Sequence, residues 1–438
     1  MSTDEPVSVA VLGAGARGRF TYGAYCLANA DRARVTAVAE PDADRRERFA
    51  DEHDIPRDSR FADWADLLER GPATDGVIIA TPDWAHVGPA IAALTLGRDV
   101  LLEKPVARTP AELDRLLAAA RASSGRLTIA HPLRHAPMFE TIARLLREGR
   151  VGRLMTIDHV ENIGYLHFAH SYVRGNWRRS DETAPLILTK ACHDLDLLAW
   201  LAGSDWTQVS SFGSLSHFRS ANAPAGAPAR CTDGCPVQST CPFDAVAFYL
   251  NPKTLPAWKA TVTPDQTETG IRHALAAGPY GRCVYRSDND VVDHQVAIIE
   301  FASGTTATLT VSAFTAEMTR SIRLMGSAGE IVGDLLTGAL TLRSFTPGSP
   351  DAAIVEPVEM ASDGHGGGDD RLLAAFVDGL EQKRAGRRSS VAPGALEASV
   401  VGHVLAFAAE QSRVTGASVT GAQARRIKTR RRSEPKDP

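Results

Sequence analysis

The sequence predicts an α/β protein built in two parts. Residues 1–131 read as a doubly wound parallel sheet, and residues 132–420 as an α+β region with a large open, mostly antiparallel sheet. Three observations support this. Apolar runs and helical patterns alternate from Val7 to about residue 130, as successive βαβ units do. The first run, Val7 to Leu12, ends in a turn with glycines at 13, 15 and 18, and helix formers follow. From Gly152 onward strands outnumber helices, and Gly and Asn/Ser turns separate several of them. A basic, polar tail over 421–438 reads as disordered and solvated.

The glycine turn has the spacing G-x-G-x-x-G. Gly13 permits the tight turn, Gly15 leaves room for a pyrophosphate against the backbone, and Gly18 lets the following helix pack close to the strand. Ala16 and Arg17 complete the loop, and the helix N-terminus faces the anion. The second strand, RVTAVA, ends in Glu40, about 20 residues on, where an acid bonds adenosine ribose hydroxyls. Its carboxylate would repel a 2′-phosphate, which favours NAD over NADP; Asp42 is the alternative ribose ligand. Next come a helix over DADRRERFADEHD, a short strand and helix over FADWADLLER, and the apolar strand DGVIIA. That strand ends in Thr81-Pro82-Asp83, with His86 just beyond. The strand DVLL ends in Glu103-Lys104-Pro105, the helix after it opens with Thr109-Pro110-Ala111-Glu112, and the last strand is RLTIA.

Ligands bind at the carboxyl edge of such sheets, so Thr81, Pro82, His86, Glu103 and Lys104 are expected around the cofactor. Pro105 restricts the backbone of Lys104, whose amine can serve as acid or base. In the second half one helix is expected from about Leu186 to Leu201. It would place Lys190, His193 and Asp194 on one face as polar groups lining a cleft. The loop from Tyr165 to Arg178 holds His167, His170, Arg174 and Trp177 among aromatic rings, a composition suited to reading a hydroxyl-rich ligand. His131 and Arg134 are candidates to join it. Two late helices, Asp369 to Lys383 and Pro393 to Arg413, are expected to pack back on the first sheet.

Four of the six cysteines, Cys231, Cys235, Cys241 and Cys283, fall in or near a Pro/Gly-rich loop with the spacing C-x3-C-x5-C. Four thiolates could close a structural zinc site there. A Cys-Pro pair also occurs beside iron–sulfur clusters, and unligated thiols are the plain alternative. In a reducing compartment the cysteines should not form a disulfide framework. The net charge of −4 over 438 residues gives no reason to invoke nucleic acid or an anionic membrane. No apolar run reaches the roughly 18 residues of a membrane span, and the polar N-terminus MSTDEPVSV does not fit a signal peptide. A cytoplasmic location is the expectation.

Together these motifs resemble the Gfo/Idh/MocA family of oxidoreductases, named for glucose–fructose oxidoreductase and inositol dehydrogenase. The resemblance rests on the glycine turn, Thr81-Pro82-Asp83 with His86, Glu103-Lys104-Pro105, the helix with His193-Asp194, and Gly364-His365-Gly366-Gly367-Gly368-Asp369. It implies a Rossmann domain, a C-terminal open sheet that often mediates homodimers or homotetramers, and hydride exchange between a carbinol and NAD(P). The substrate is then a sugar, an inositol or a derivative. Lys104 matches the family's catalytic lysine and His193 its catalytic histidine. Lys190 joins them as a third catalytic candidate, and His365 is expected at the substrate. Thr189 stands where the family often has an aspartate. Some relatives oxidise, eliminate an aglycone and reduce again, so a redox-neutral glycoside-cleaving enzyme is the second reading. An NAD-sensing scaffold is the third.

Overall fold

The computed structural model describes residues 5–345, 353–356, 358, 365–387 and 395–424. The tail beyond Ala424 and Gly364 of the late glycine motif lie outside them.

Six strands form the first sheet: β1 (Val7–Leu12), β2 (Ala33–Ala39), β3 (Arg60–Phe61), β4 (Gly76–Ile79), β5 (Asp99–Leu102) and β6 (Leu127–Ile129). All pairs are parallel, in the order β3-β2-β1-β4-β5-β6. Strands β4 and β5 are buried at every residue, because helices cover both faces, and this explains their uninterrupted apolar sequence. The strand order reverses between β1 and β4, which opens a crevice at their carboxyl ends.

Among the described residues nine strands form the second sheet: β7 (Leu154–Asn162), β8 (Trp206–Ser214), β9 (His294–Phe301), β10 (Thr306–Ser312), β11 (Thr319–Gly326), β12 (Gly329–Asp334), β13 (Ala339–Ser344), β14 (Ala353–Glu356) and β15 (Val419–Thr420). Their order is β14-β13-β12-β11-β7-β10-β9-β8-β15. Only β7 and β10 pair in parallel; the other pairs are antiparallel. Strands β10 to β13 alternate buried and less buried residues, as a sheet with one covered face requires.

Several expected elements differ. The helix after the glycine turn begins as a π-helical turn, Gly18–Gly23, before Ala24–Ala28. The loop expected from Tyr165 is instead helical, Tyr165–Phe168 continuing as the π-turn Ala169–Arg174, and the latter is buried throughout. The helix expected from Leu186 to Leu201 is two helices, Leu186–Thr189 and Cys192–Ala202. Three further helices, Ala245–Leu250, Pro256–Val262 and Glu268–Ala277, fill the long connection between β8 and β9. They close on a small core of their own around Tyr249, Ile271 and Leu275. The late helix Gly368–Arg384 buries Leu372, Leu373, Phe376, Val377 and Leu380 against β1 and its neighbours. Leu396 and Val400 reach the other face of that sheet.

Candidate active site

The glycine turn lies at the crevice mouth. Gly13 has φ +94°, and a Cβ there would come within 2.6 Å of the Ala80 carbonyl oxygen. A Cβ on Gly18 would lie 2.0 Å from the Gly13 oxygen, so the turn and helix are packed backbone to backbone. Gly15 differs, since a Cβ there would meet nothing within 4 Å. That open space beside the first helical turn fits a bound pyrophosphate. Glu40 is buried at the end of β2. It accepts a 2.9 Å hydrogen bond from Ala14 N–H on one oxygen and pairs with Arg45 at 3.0 Å on the other. The sequence did not single out Arg45.

Arg17 reaches across the crevice rather than into it. Its guanidinium pairs with Glu103 at 2.5 Å and Asp369 at 2.7 Å and lies over the Tyr22 ring. Two buried carboxylates hold it, so it braces the loop against the late helix. Glu103 also accepts from Tyr22 Oη at 2.5 Å, and Arg17 beside it holds its carboxyl below the usual range despite burial. His86 is another brace. It is 1% exposed, and its ring nitrogens contact the carbonyls of Pro105 at 2.7 Å and Thr81 at 2.8 Å. It clamps the Thr81-Pro82-Asp83 turn to the Glu103-Lys104-Pro105 turn, and no ring nitrogen remains for a cofactor.

Lys104 is half-buried at the end of β5, and its ammonium donates to the Thr189 carbonyl at 3.0 Å. That carbonyl is available because the helix breaks at Lys190 and Ala191. The same break means that Lys190 does not share a helix face with His193 and Asp194. His193 opens the second helix, 3% exposed, and among the described residues neither ring nitrogen has a hydrogen-bond partner. Burial, then the positive charge of Lys104, push its pKa well below the ordinary value, so it is neutral near pH 7. An amine from the first sheet and an unpaired imidazole from the second part therefore converge. The His365 ring lies 5.2 Å from that of His193, and His131 lies 6.0 Å away. His365 Nδ1 is 2.9 Å from the Asp369 carboxylate, a partner that sequence reasoning missed.

Lys190 pairs with Glu161 at 3.0 Å, and Arg320 joins Glu161 at 2.6 Å and Asp194 at 2.8 Å. His159 Nε2 contacts Asp194 at 2.8 Å. Asp194 is wholly buried in this network and held strongly acidic by Arg320, so it cannot meet a substrate as expected. Arg134 also departs from expectation. It forms a two-pronged pair with Asp196 at 2.6 and 2.7 Å and faces an outer groove beside Trp200. Glu161, Arg320 and Asp196 carried no local signal, because each matters through partners distant in sequence.

Of the aromatic run, His167 is half-buried, with Nδ1 3.2 Å from the Ile163 carbonyl oxygen. Its pKa is pushed far down by burial first, then by Lys190. Trp258 stacks on both His167 and His170, each at 5.4 Å. Trp177 donates to Asp83 at 2.7 Å and so ties this segment to the first sheet. Tyr165 packs on Phe243 at 6.0 Å, at the rim of the aromatic core. Arg174 is not at the substrate. Its guanidinium is buried against the carbonyls of Arg282 and Phe243, each at 2.7 Å, on the cysteine side. The zinc expected at Cys231, Cys235, Cys241 and Cys283 is not supported. Among the described residues no group of three or more His, Cys, Asp or Glu is gathered to hold a metal ion. The four cysteines are free and line one cavity. Among the described residues no helix is long and apolar enough to cross a membrane.

The Bacillus subtilis protein YteT, named as an oxidoreductase, is 26% identical over 276 residues, covering 62% of this chain and 63% of its own. Inositol 2-dehydrogenase 1 of Saccharopolyspora erythraea is 32% identical over 194 residues, 43% of this chain and 52% of its own. The chain thus matches less than two thirds of the length of these relatives. Among solved structures, a levoglucosan dehydrogenase complexed with NADH and L-sorbose superposes with a TM-score of 0.68 at 17% identity, over 95% of this chain and 99% of that one. An oxidoreductase from Agrobacterium radiobacter, complexed with NAD+, L-tartaric acid and magnesium, gives 0.66 at 16% identity, over 94% and 98%. At these identities the likeness speaks for the fold. Residues 7–131 match the oxidoreductase family with an NAD-binding Rossmann fold, and residues 139–332 match the C-terminal domain of the same family. The chain belongs to the GFO/IDH/MocA family.

Proposed function

We propose that the protein is an NAD-dependent dehydrogenase or reductase that moves a hydride between nicotinamide and a carbinol of a sugar, an inositol or a derivative. One observation carries this reading: Lys104 and the unpaired, neutral imidazole of His193 come from opposite halves of the chain to one buried point. The nicotinamide supplies the hydride acceptor or donor when bound. In the oxidative direction His193 accepts the carbinol proton, since a neutral buried imidazole with free nitrogens is a ready acceptor. Lys104, anchored through one N–H on Thr189, turns another to the oxygen that becomes the carbonyl. His365 and His167 line the hydroxyl-reading wall. Lys190, paired with Glu161, is not a free acid or base. Glu40 reads the ribose and disfavours a 2′-phosphate, which makes NAD the cofactor.

The relatives' names support the substrate class, since they include inositol 2-dehydrogenases and a 1,5-anhydro-D-fructose reductase. The test is a screen of sugars, inositols and glycosides with NAD and NADP, followed by absorbance of the reduced cofactor. The expected result is net NADH formation on at least one free polyol. Glycoside cleavage without NADH accumulation would replace this reading with the redox-neutral one.

A further inference from the structure

Hydride transfer from a carbinol leaves a proton on a buried imidazole, and the histidines around it offer that proton a way out. Burial, then Lys104, His365, His131 and Arg320 in turn, weaken the hold of His193 on positive charge. An imidazolium at that position is short-lived and must hand its proton on before the next turnover. Among the described residues no carboxylate bonds to either of its nitrogens. Two imidazoles stand beside it instead. The His365 ring lies 5.2 Å from that of His193, centre to centre, and the His131 ring lies 6.0 Å away. At such spacing a nitrogen of one ring reaches a nitrogen of the next directly or through one hydroxyl.

The two neighbours are not equivalent. His131 is 5% exposed, and its Nε2 is 3.0 Å from the Ser399 carbonyl, a group that can only accept. Asp196, 3.7 Å from that nitrogen, is held by both prongs of Arg134. Behind His131 lies His403, fully buried, with Nε2 accepting Val106 N–H at 3.1 Å. That branch ends on backbone groups. His365 leads the other way. Its side chain is 20% exposed, and its Nδ1 is 2.9 Å from Asp369 Oδ2. Burial opposes a charge on Asp369, yet His365 and then Arg17 hold its carboxyl well below the ordinary value, so it stays anionic. A carboxylate at Nδ1 fixes the tautomer with hydrogen there, so a proton enters and leaves through Nε2. The same carboxylate stabilises the imidazolium that forms. The support is rigid as well. A Cβ on Gly368 would lie 2.1 Å from the Pro132 carbonyl oxygen, and Arg17 ties Asp369 to Glu103, the residue before Lys104.

We propose that His365 relays the proton between His193 and solvent, and that Asp369 is the residue that positions it. This rests on the hydride-transfer reading and assigns that site its proton path. In the oxidative direction the carbinol carbon gives up a hydride, with both electrons of its C–H bond, to the nicotinamide. The carbinol oxygen gives its proton to His193. His193 passes a proton to Nε2 of His365, and Nε2 releases it to water. One C–H and one O–H bond break, the carbonyl forms, and both imidazoles end neutral. In the reductive direction the same path carries a proton inward.

The experiment has two arms, both on the full chain. In the first, nitrogen-15 NMR of histidine-labelled protein without substrate or cofactor, at mildly alkaline pH, reads the tautomer of His365, assigned by its loss in His365→Asn. Hydrogen on Nδ1 and none on Nε2 is expected, and hydrogen on Nε2 instead would overturn the proposal. In the second, kcat for polyol oxidation should fall about tenfold or more in His365→Asn, and free imidazole added to the assay should restore it in proportion to its concentration. His131→Gln should show no such rescue. An unchanged kcat in His365→Asn, a loss that imidazole does not restore, or rescue confined to His131→Gln each overturns the relay while leaving the hydride-transfer reading in place. A wild-type protein that forms no NADH from any carbinol overturns both. His365→Gln repeats the two arms if His365→Asn does not fold.

Discussion

Lys104 shows how one side chain is set by a backbone it does not belong to. Its ammonium is oriented by the Thr189 carbonyl, and its nearest ionisable company includes His193. Lys104→Met keeps the length and removes the donor. Turnover should fall by about 10² to 10⁴, the usual contribution of a positioned proton donor, while the NAD dissociation constant stays within twofold. Steady-state kinetics with fluorescence titration of NADH check this, and unchanged kcat would remove Lys104 from the chemistry. Glu40 carries a second prediction. Glu40→Gln keeps an acceptor for Ala14 N–H but loses the charge, and Arg45 then stands free to meet a 2′-phosphate. The preference for NAD over NADP should drop at least about fivefold, because a like charge at close range costs roughly 1 kcal/mol even in water. Comparing kcat/KM for the two cofactors measures it. The position of Glu40 at the end of β2 was legible because strand, turn and acid are close in sequence. The roles of Asp194 and Arg134 were not, because Arg320 and Asp196, which engage them, lie 126 and 62 residues away.

At the scale of elements, the glycine turn separates folding from binding. Gly18→Ala drives a Cβ into the Gly13 carbonyl, and backbone cannot yield as a side chain tip does. It should cost about 2 kcal/mol or more and lower the thermal midpoint by several degrees. Gly15→Ala meets open space, so the midpoint should hold while NAD affinity falls about tenfold or more. Calorimetry beside NADH titration tests the pair. A large midpoint drop in Gly15→Ala would mean that this space is not the cofactor's. The first sheet was legible because strands buried on both faces must be continuous apolar runs. The second was legible through alternation. The break between Leu186–Thr189 and Cys192–Ala202 was not, since the carbonyl it frees is satisfied by Lys104 from another part of the chain. Nor were the three helices between β8 and β9. Their core is small and closes through Tyr249 and Tyr280 on His170, contacts that periodicity does not register.

Across the whole molecule, the two halves are joined through histidines kept neutral by burial. His403 Nε2 accepts Val106 N–H at 3.1 Å just past the Glu103-Lys104-Pro105 turn, and His131 Nε2 reaches the Ser399 carbonyl at 3.0 Å. His170 contacts Tyr249 Oη at 2.7 Å in the helical connection. Burial is the leading cause that pushes His131, His167, His193 and His403 below the ordinary histidine value, and it takes His170 down to about 4. The sign follows from where the proton binds. Below about pH 6.5 the unfolded chain takes up protons at these positions and the folded chain does not, so protonation favours unfolding. The neutral, folded-state advantage is therefore complete above that pH and is lost progressively as the pH falls from about 6.5 towards 4. One unit below 6.5, each such histidine costs on the order of 1 kcal/mol, and several act together. The thermal midpoint should be flat between about pH 7 and 8 and fall by many degrees by pH 5. His403→Gln removes one titrating group yet leaves an acceptor for Val106 N–H, so it should flatten the acid limb even if it lowers the plateau. A midpoint that stays constant down to pH 5, or an acid limb unchanged in that variant, would show that these imidazoles do not set the acid stability.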